Sequence, residues 1–265
     1  FHWTELIQSS PEAMEKSIYS IAAGAFRKNN ITKLEIRFNP MKRNRGGERD
    51  LDHIILASIH GMERACLDYP NNVGLIFCLD RTFTPDLNKI IAQKAIKYSR
   101  RGVVGIDLAG HVPDSFDIDL IAGLFNEAKE AGLGITVHTG EATGPAEVRK
   151  IINLISPDRI GHGVRASEDE TTMDEISSRG IVLEVCPTSN IHTGVVKDLS
   201  TFKDIFAKFK KHKVPFTINT DGPEMLGTNL LNEYNLLLQN DILTREDLLA
   251  ASKTAKQASF IKSEN

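Results

Sequence analysis

Four segments in the C-terminal half of the sequence each follow a buried-looking apolar run with polar chemistry. They are Gly134-Ile-Thr-Val-His-Thr-Gly-Glu141, Arg159-Ile-Gly-His-Gly163, Ile181-Val-Leu-Glu-Val-Cys-Pro-Thr-Ser-Asn190 and Pro215-Phe-Thr-Ile-Asn-Thr-Asp221. A histidine at a strand end can bind a divalent metal through a ring nitrogen. A carboxylate after a buried strand is costly unless paired, coordinated or at the surface. His138 and Asp221 thus read as metal-ligand types. Glu141 follows His138 across a Gly turn and can face the same space; a carboxyl kept partly dry can donate a proton. His162 stands between two glycines, which allow close backbone approach and set the ring in open space. Each residue also has a plainer reading: a hydrogen-bonded core histidine, a solvated glutamate, a Gly-rich turn, and for Asp221 a helix N-cap.

The elements that must position these residues alternate. Strands are expected at 34–38, 73–78, 103–108, 135–138, 159–163, 181–185 and 216–219, each short and rich in aliphatic residues, as parallel strands buried on both faces are. Helical patterns separate them at 11–28, 50–67, 85–99, 117–131, 146–155, 168–178 and 201–212, and two more, at 226–239 and 245–261, end the chain. Ser10-Pro11 suits a helix start, and Gly102, Gly132 and Gly180 suit helix ends. This order predicts one parallel α/β domain over residues 1–265. Polar residues at many strand ends favour a closed TIM-type barrel, with its site at the C-terminal ends, over a doubly wound sheet with one switch point. Seven of the eight strands are visible. With Phe1 in place of an initiator Met, the expectation is that an N-terminal βα unit is missing from this sequence.

Composition narrows the class. The 265 residues are 41% hydrophobic and 25% charged, with a formal net charge of −3. That charge recruits neither nucleic acid nor an anionic membrane surface. No apolar run reaches the roughly 18 residues of a transmembrane helix. Cys66, Cys78 and Cys186 are odd in number and widely spaced, so a disulfide framework is not indicated and a reducing cytoplasm is expected. Glu35 and Arg37 share a side of one strand and read as an interior ion pair. Asp107, inside another strand, needs a partner. Small residues after Leu108 leave room for a ligand at the backbone. The basic stretch Lys42–Arg49 reads as a solvated loop, and His53 and His60 as surface or packing residues.

His138-Thr-Gly-Glu141, Arg159-Ile-Gly-His-Gly163, Glu184-Val-Cys-Pro-Thr-Ser-Asn190 and Asn219-Thr-Asp-Gly-Pro223 together resemble the successive motifs of the adenosine deaminase family, within the metal-dependent amidohydrolases. Asp107-Leu-Ala-Gly110 and Leu34-Glu-Ile-Arg-Phe38 fit as well, and the similarity covers nearly the whole chain. The resemblance implies an eight-stranded barrel with one Zn2+ and hydrolytic deamination of a 6-aminopurine nucleoside, adenosine to inosine plus ammonia, in cytoplasmic purine salvage. It implies His138 and Asp221 as zinc ligands and Glu141 as the acid that protonates purine N1. His162 would orient or deprotonate the attacking water, and Gly110 would offer its backbone to the base. The partner implied is a small purine nucleoside.

The sequence departs from the family pattern in places. The His-x-His that supplies two further zinc ligands is absent. Gly222 stands where a second Asp commonly contacts the purine, and His111 stands where acidic residues are common. Two other readings therefore stay open: an inactive family member that binds a purine or a protein partner, and an amidohydrolase acting on a related aminopurine compound.

Overall fold

The computed structural model describes residues 2–44, 50–113 and 115–262. Most of the basic Lys42–Arg49 stretch lies outside them. The chain forms two compact units, Phe1–Ile135 with Phe260–Asn265, and Thr136–Ser259. The first carries α1 (His2–Ile7), α2 (Pro11–Asn29), β1 (Lys33–Phe38), α3 (Leu51–Asp68), β2 (Asn72–Asp80), α4 (Pro85–Lys97), β3 (Val103–Ala109) and α5 (Ala122–Glu130). β4 (Gly134–Thr139) begins there and continues in the second unit. That unit adds α6 (Pro145–Ile155), β5 (Arg159–His162), α7 (Glu170–Arg179), β6 (Val182–Val185), α8 (Pro187–His192), α9 (Leu199–Lys211), β7 (Phe216–Ile218), α10 (Pro223–Leu226), α11 (Leu230–Gln239) and α12 (Arg245–Ala258).

All strand pairs are parallel, and strand order follows chain order from β1 to β7. Helices lie between successive strands, as a parallel connection requires. The seven expected strands all form, with ends within two residues of expectation.

In the first unit Leu75, Ile76, Phe77 and Leu79 of β2 and Ile54, Ile55 and Ile59 of α3 are fully buried. Arg37 Nη1 lies 3.3 Å from Asp107 Oδ2, which gives the buried Asp107 its partner. Glu35, expected as the mate of Arg37, accepts the Phe260 N–H at 2.6 Å. That bond anchors the chain end, whose Phe260 ring fills the space left by Gly105 and Gly134. The last helix therefore stops at Ala258, short of the expected 261.

In the second unit Ile160, Leu183, Val185 and Ile218 meet Phe202, Phe206 and Phe209 of α9. A buried polar group sits among the strands. Arg159 Nε is 3.0 Å from Glu184 Oε1, Thr136 Oγ1 donates to Glu184 Oε2 at 2.9 Å, and Arg159 Nη1 donates to the Ala258 carbonyl at 3.0 Å. Two short helices, α1 and α8, were not expected from the sequence. The helix expected at 226–239 starts only at Leu230, where Asn229 caps α11 by accepting the Asn232 N–H; a separate short helix, α10, precedes it and is closed by Gly227 (φ 63°). The helix expected at 117–131 starts only at Ala122, after a 3-10 turn at Ile118–Leu120 capped by Asp117. His53 and His60 are exposed on α3, as expected.

Candidate active site

The second unit brings His138, Glu141, His162 and Asp221 to the C-terminal ends of its strands. His138 is the penultimate residue of β4, and β5 pairs with it in the register His138↔Gly161. A Cβ on Gly161 would lie 3.0 Å from the His138 ring, so the missing side chain makes room for that imidazole. The two rings, His138 and His162, sit 5.2 Å apart between centroids.

The loops carrying Glu141 and His162 are tied together by backbone. The Gly163 N–H donates to the Thr139 carbonyl at 3.1 Å and the Arg165 N–H to the Gly140 carbonyl at 2.9 Å. Gly140 has φ +65°, and a Cβ there would stand 3.1 Å from Gly163 Cα. Only glycine allows so close an approach in that conformation. Glu147, on α6, accepts hydrogen bonds from Thr139 at 2.7 Å and from Thr143. The turn that presents Glu141 is thus held from both sides. Glu141 Oε2 comes to 3.6 Å from His162 Nε2.

The sequence reading put His162 in open space; it is instead 2% exposed. The glycines serve close packing, and the ring is enclosed by His138 and by Asn190. The Asn190 side-chain nitrogen lies 2.9 Å from His162 Nδ1. An amide nitrogen can only donate, so Nδ1 accepts. A neutral ring then carries its proton on Nε2, on the side of Glu141.

Asp221 follows β7, and the N-cap of α10 falls on Gly222, which removes the capping explanation for Asp221. Its carboxylate accepts from Ser189 Oγ at 2.8 Å. His162 (φ 61°) and Asp221 (φ 55°) are both non-glycine residues in the left-handed region. Such conformations cost energy and gather at functional sites.

Ser189 and Asn190 are consecutive on α8, so one short helix touches both His162 and Asp221. Sequence reasoning quoted this motif but gave these residues no role. The available signal was Pro187 opening a helix directly after a buried strand, with polar residues in its first turn.

Gly110 lies in the first unit, just past β3, with φ +96°. A Cβ on it would stand 2.9 Å from Asp80 Oδ1. Asp80 is itself held by Lys42 at 2.5 Å and by the Thr82 N–H and hydroxyl. Close approach to a fixed carboxylate is therefore reason enough for glycine there.

His138 and Asp221 have the donor types of a zinc site. Among the described residues, however, no group of three or more His, Cys, Asp or Glu side chains is placed to hold a metal ion. A catalytic zinc site needs about three protein ligands. The donor set on these residues is incomplete.

Parallel βα units in sequential order, with polar side chains at successive strand C-terminal ends, have the architecture of an α/β barrel enzyme. The adenosine deaminase family model matches residues 1–265. An adenosine deaminase of Klebsiella pneumoniae is 32% identical over 262 residues, 98% of this chain and 76% of that protein. The Arabidopsis N6-mAMP deaminase superposes with a TM-score of 0.84 at 25% identity, over 96% of this chain and 76% of that one. An adenine deaminase from Arthrobacter aurescens, at 17% identity and TM-score 0.85 over the same shares, has the same fold. The chain belongs to the adenosine deaminase family and is an enzyme of the deaminase type.

Proposed function

We propose that this enzyme deaminates a 6-aminopurine nucleoside by zinc-dependent hydrolysis, converting adenosine to inosine and ammonia. Residues 1–265 act as one barrel domain in this reading. The observation that carries it is the Glu141 carboxyl beside His162, held by two tied strand-end loops in a chain of this family. Glu141 holds a proton for the ring nitrogen N1, without which the ring resists attack at C6. His162, with Nδ1 engaged by Asn190, presents Nε2–H and orients the attacking water. His138 and Asp221 would hold the zinc together with further ligands, and Gly110 would offer its backbone to the base. Zinc held there would supply Lewis acidity near the attacking water. Cys66, Cys78 and Cys186 are not joined in disulfides, which suits a cytoplasmic setting. No helix among the described residues is long and apolar enough to cross a membrane.

One observation favours a second reading, a family member that binds a purine without turning it over: the described residues offer two metal-ligand side chains at the site, short of a full set. Incubation with adenosine, adenine, AMP and N6-methyl-AMP in the presence of zinc separates the two. Inosine and ammonia from adenosine are expected. Binding of adenosine without product would sink the catalytic reading, and turnover of another aminopurine alone would reassign the substrate.

A further inference from the structure

Glu233, on α11, is a fully buried carboxylate far in sequence from the motifs described above. Burying a carboxylate is expensive unless hydrogen bonds replace its water. Its two oxygens serve two different segments. Oε2 accepts the Thr188 N–H at 3.0 Å, and Oε1 accepts the Thr228 hydroxyl at 2.5 Å. Thr188 is in the first turn of α8, where backbone N–H groups have no partner inside the helix and a negative charge is favoured. Pro187, the residue before it, has no N–H to offer. Thr228 lies just beyond α10, the short helix that follows Asp221.

The next two residues of α8 are Ser189 and Asn190, 2% and 0% exposed. They hold Asp221 and His162, at 2.8 and 2.9 Å. Among the described residues the Asn190 side-chain oxygen has no hydrogen-bond partner, so this side chain is fixed by its contact with His162 and by the placement of α8 itself. We infer that Glu233 is a positioning residue for the active site: it pins the start of α8 and the segment after Asp221 to each other, and so sets Ser189 and Asn190 against Asp221 and His162. Glu233 touches neither residue directly and acts through the helix. The inference rests on the site proposed above, so its test is chosen to work without turnover.

The test is imidazole 1H–15N spectroscopy of the chain, with the His162 signals assigned through His162→Gln. Glu233→Leu removes both hydrogen bonds, and Thr228→Val removes one. Glu233→Gln keeps a carbonyl for the Thr188 N–H and turns its NH2 to the Thr228 hydroxyl. Displaced or broadened His162 signals are expected in Glu233→Leu, smaller displacement in Thr228→Val, and near wild-type positions in Glu233→Gln. The exposed His53 and His60 should not move. A cooperatively folded Glu233→Leu protein with unmoved His162 signals would overturn the inference. If that variant does not fold, unmoved signals in Thr228→Val would do so. A Glu233→Gln protein as displaced as Glu233→Leu would overturn the assigned hydrogen bonds. On a substrate the enzyme turns over, Glu233→Leu should lower kcat by on the order of 100-fold with little change in KM, the mark of misplaced groups. Inactivity of the unmutated chain towards every 6-aminopurine would sink the proposed function and leave the spectroscopic comparison intact.

Discussion

In the proposed mechanism Glu141 and His162 have separate roles at the scale of single atoms. The proton of a neutral His162 is directed to Nε2 because Asn190 donates to Nδ1, and Nε2 lies 3.6 Å from the Glu141 carboxylate. Glu141→Gln keeps the shape and loses the transferable proton. Its turnover of adenosine should fall by roughly 100- to 10,000-fold, with an unchanged melting temperature. Wild-type turnover in that variant would remove Glu141 from the mechanism. Gly140 makes a second prediction, on stability. Gly140→Ala places a Cβ at φ +65°, 2.8 Å from the Val148 side chain and 3.1 Å from Gly163 Cα. Chemical denaturation should show a loss of about 1–3 kcal/mol.

Helices and strands deliver these residues through contacts at their ends. α9 fills the second unit's core with Phe202, Phe206 and Phe209, and Asp198 caps it by accepting the Thr201 N–H at 2.9 Å. Hydrogen bonds from the Ser200 hydroxyl and from the Thr201 N–H and hydroxyl pull the Asp198 carboxyl from its ordinary 3.8 to about 2. A lowered folded-state pKa stabilises above the unfolded value and loses that contribution as pH falls through the folded value. The melting-temperature gap between wild type and Asp198→Ala should therefore hold above pH 3.8 and shrink towards pH 2. A gap that stays constant down to pH 2 would contradict the charged cap. Among the strands, Glu184→Ala strands the buried Arg159 guanidinium, 3.0 Å from the lost carboxylate. Unfolding measurements should register a cost of about 3–5 kcal/mol, because one half of a buried ion pair is left uncompensated.

For the molecule as a whole, the parallel order from β1 to β7 places His138, Glu141, His162 and Asp221 of the second unit in the last residues of a strand or just past its end. Chemistry sits there because loops at strand ends can carry polar groups while the strands stay apolar. Metal binding is decided at this scale, since ligands must come from several strand ends. With His138 and Asp221 as the two proposed ligands among the described residues, the 265-residue polypeptide should retain less than one zinc per chain through dialysis. Elemental analysis that finds one tightly held zinc would show that other residues complete the set.

The sequence alone was enough to place His138, Glu141, His162 and Asp221 at strand ends, because apolar runs of strand length mark where buried backbone ends and polar groups first become tolerable. It was also enough for the strand order, since strands and helices alternate and parallel neighbours need a crossover. It could not show what holds those side chains. Gly161 matters because the register sets it opposite His138, and register is a property of two strands. His162 is buried because Asn190, 28 residues away, reaches its ring. Glu233 reads as an ordinary polar position in a helix, and only packing reveals it fully buried and bonded to Thr188, 45 residues away. Local pattern determines which groups stand at a strand end; their partners, burial and tautomer are decided by segments that meet only in the folded chain.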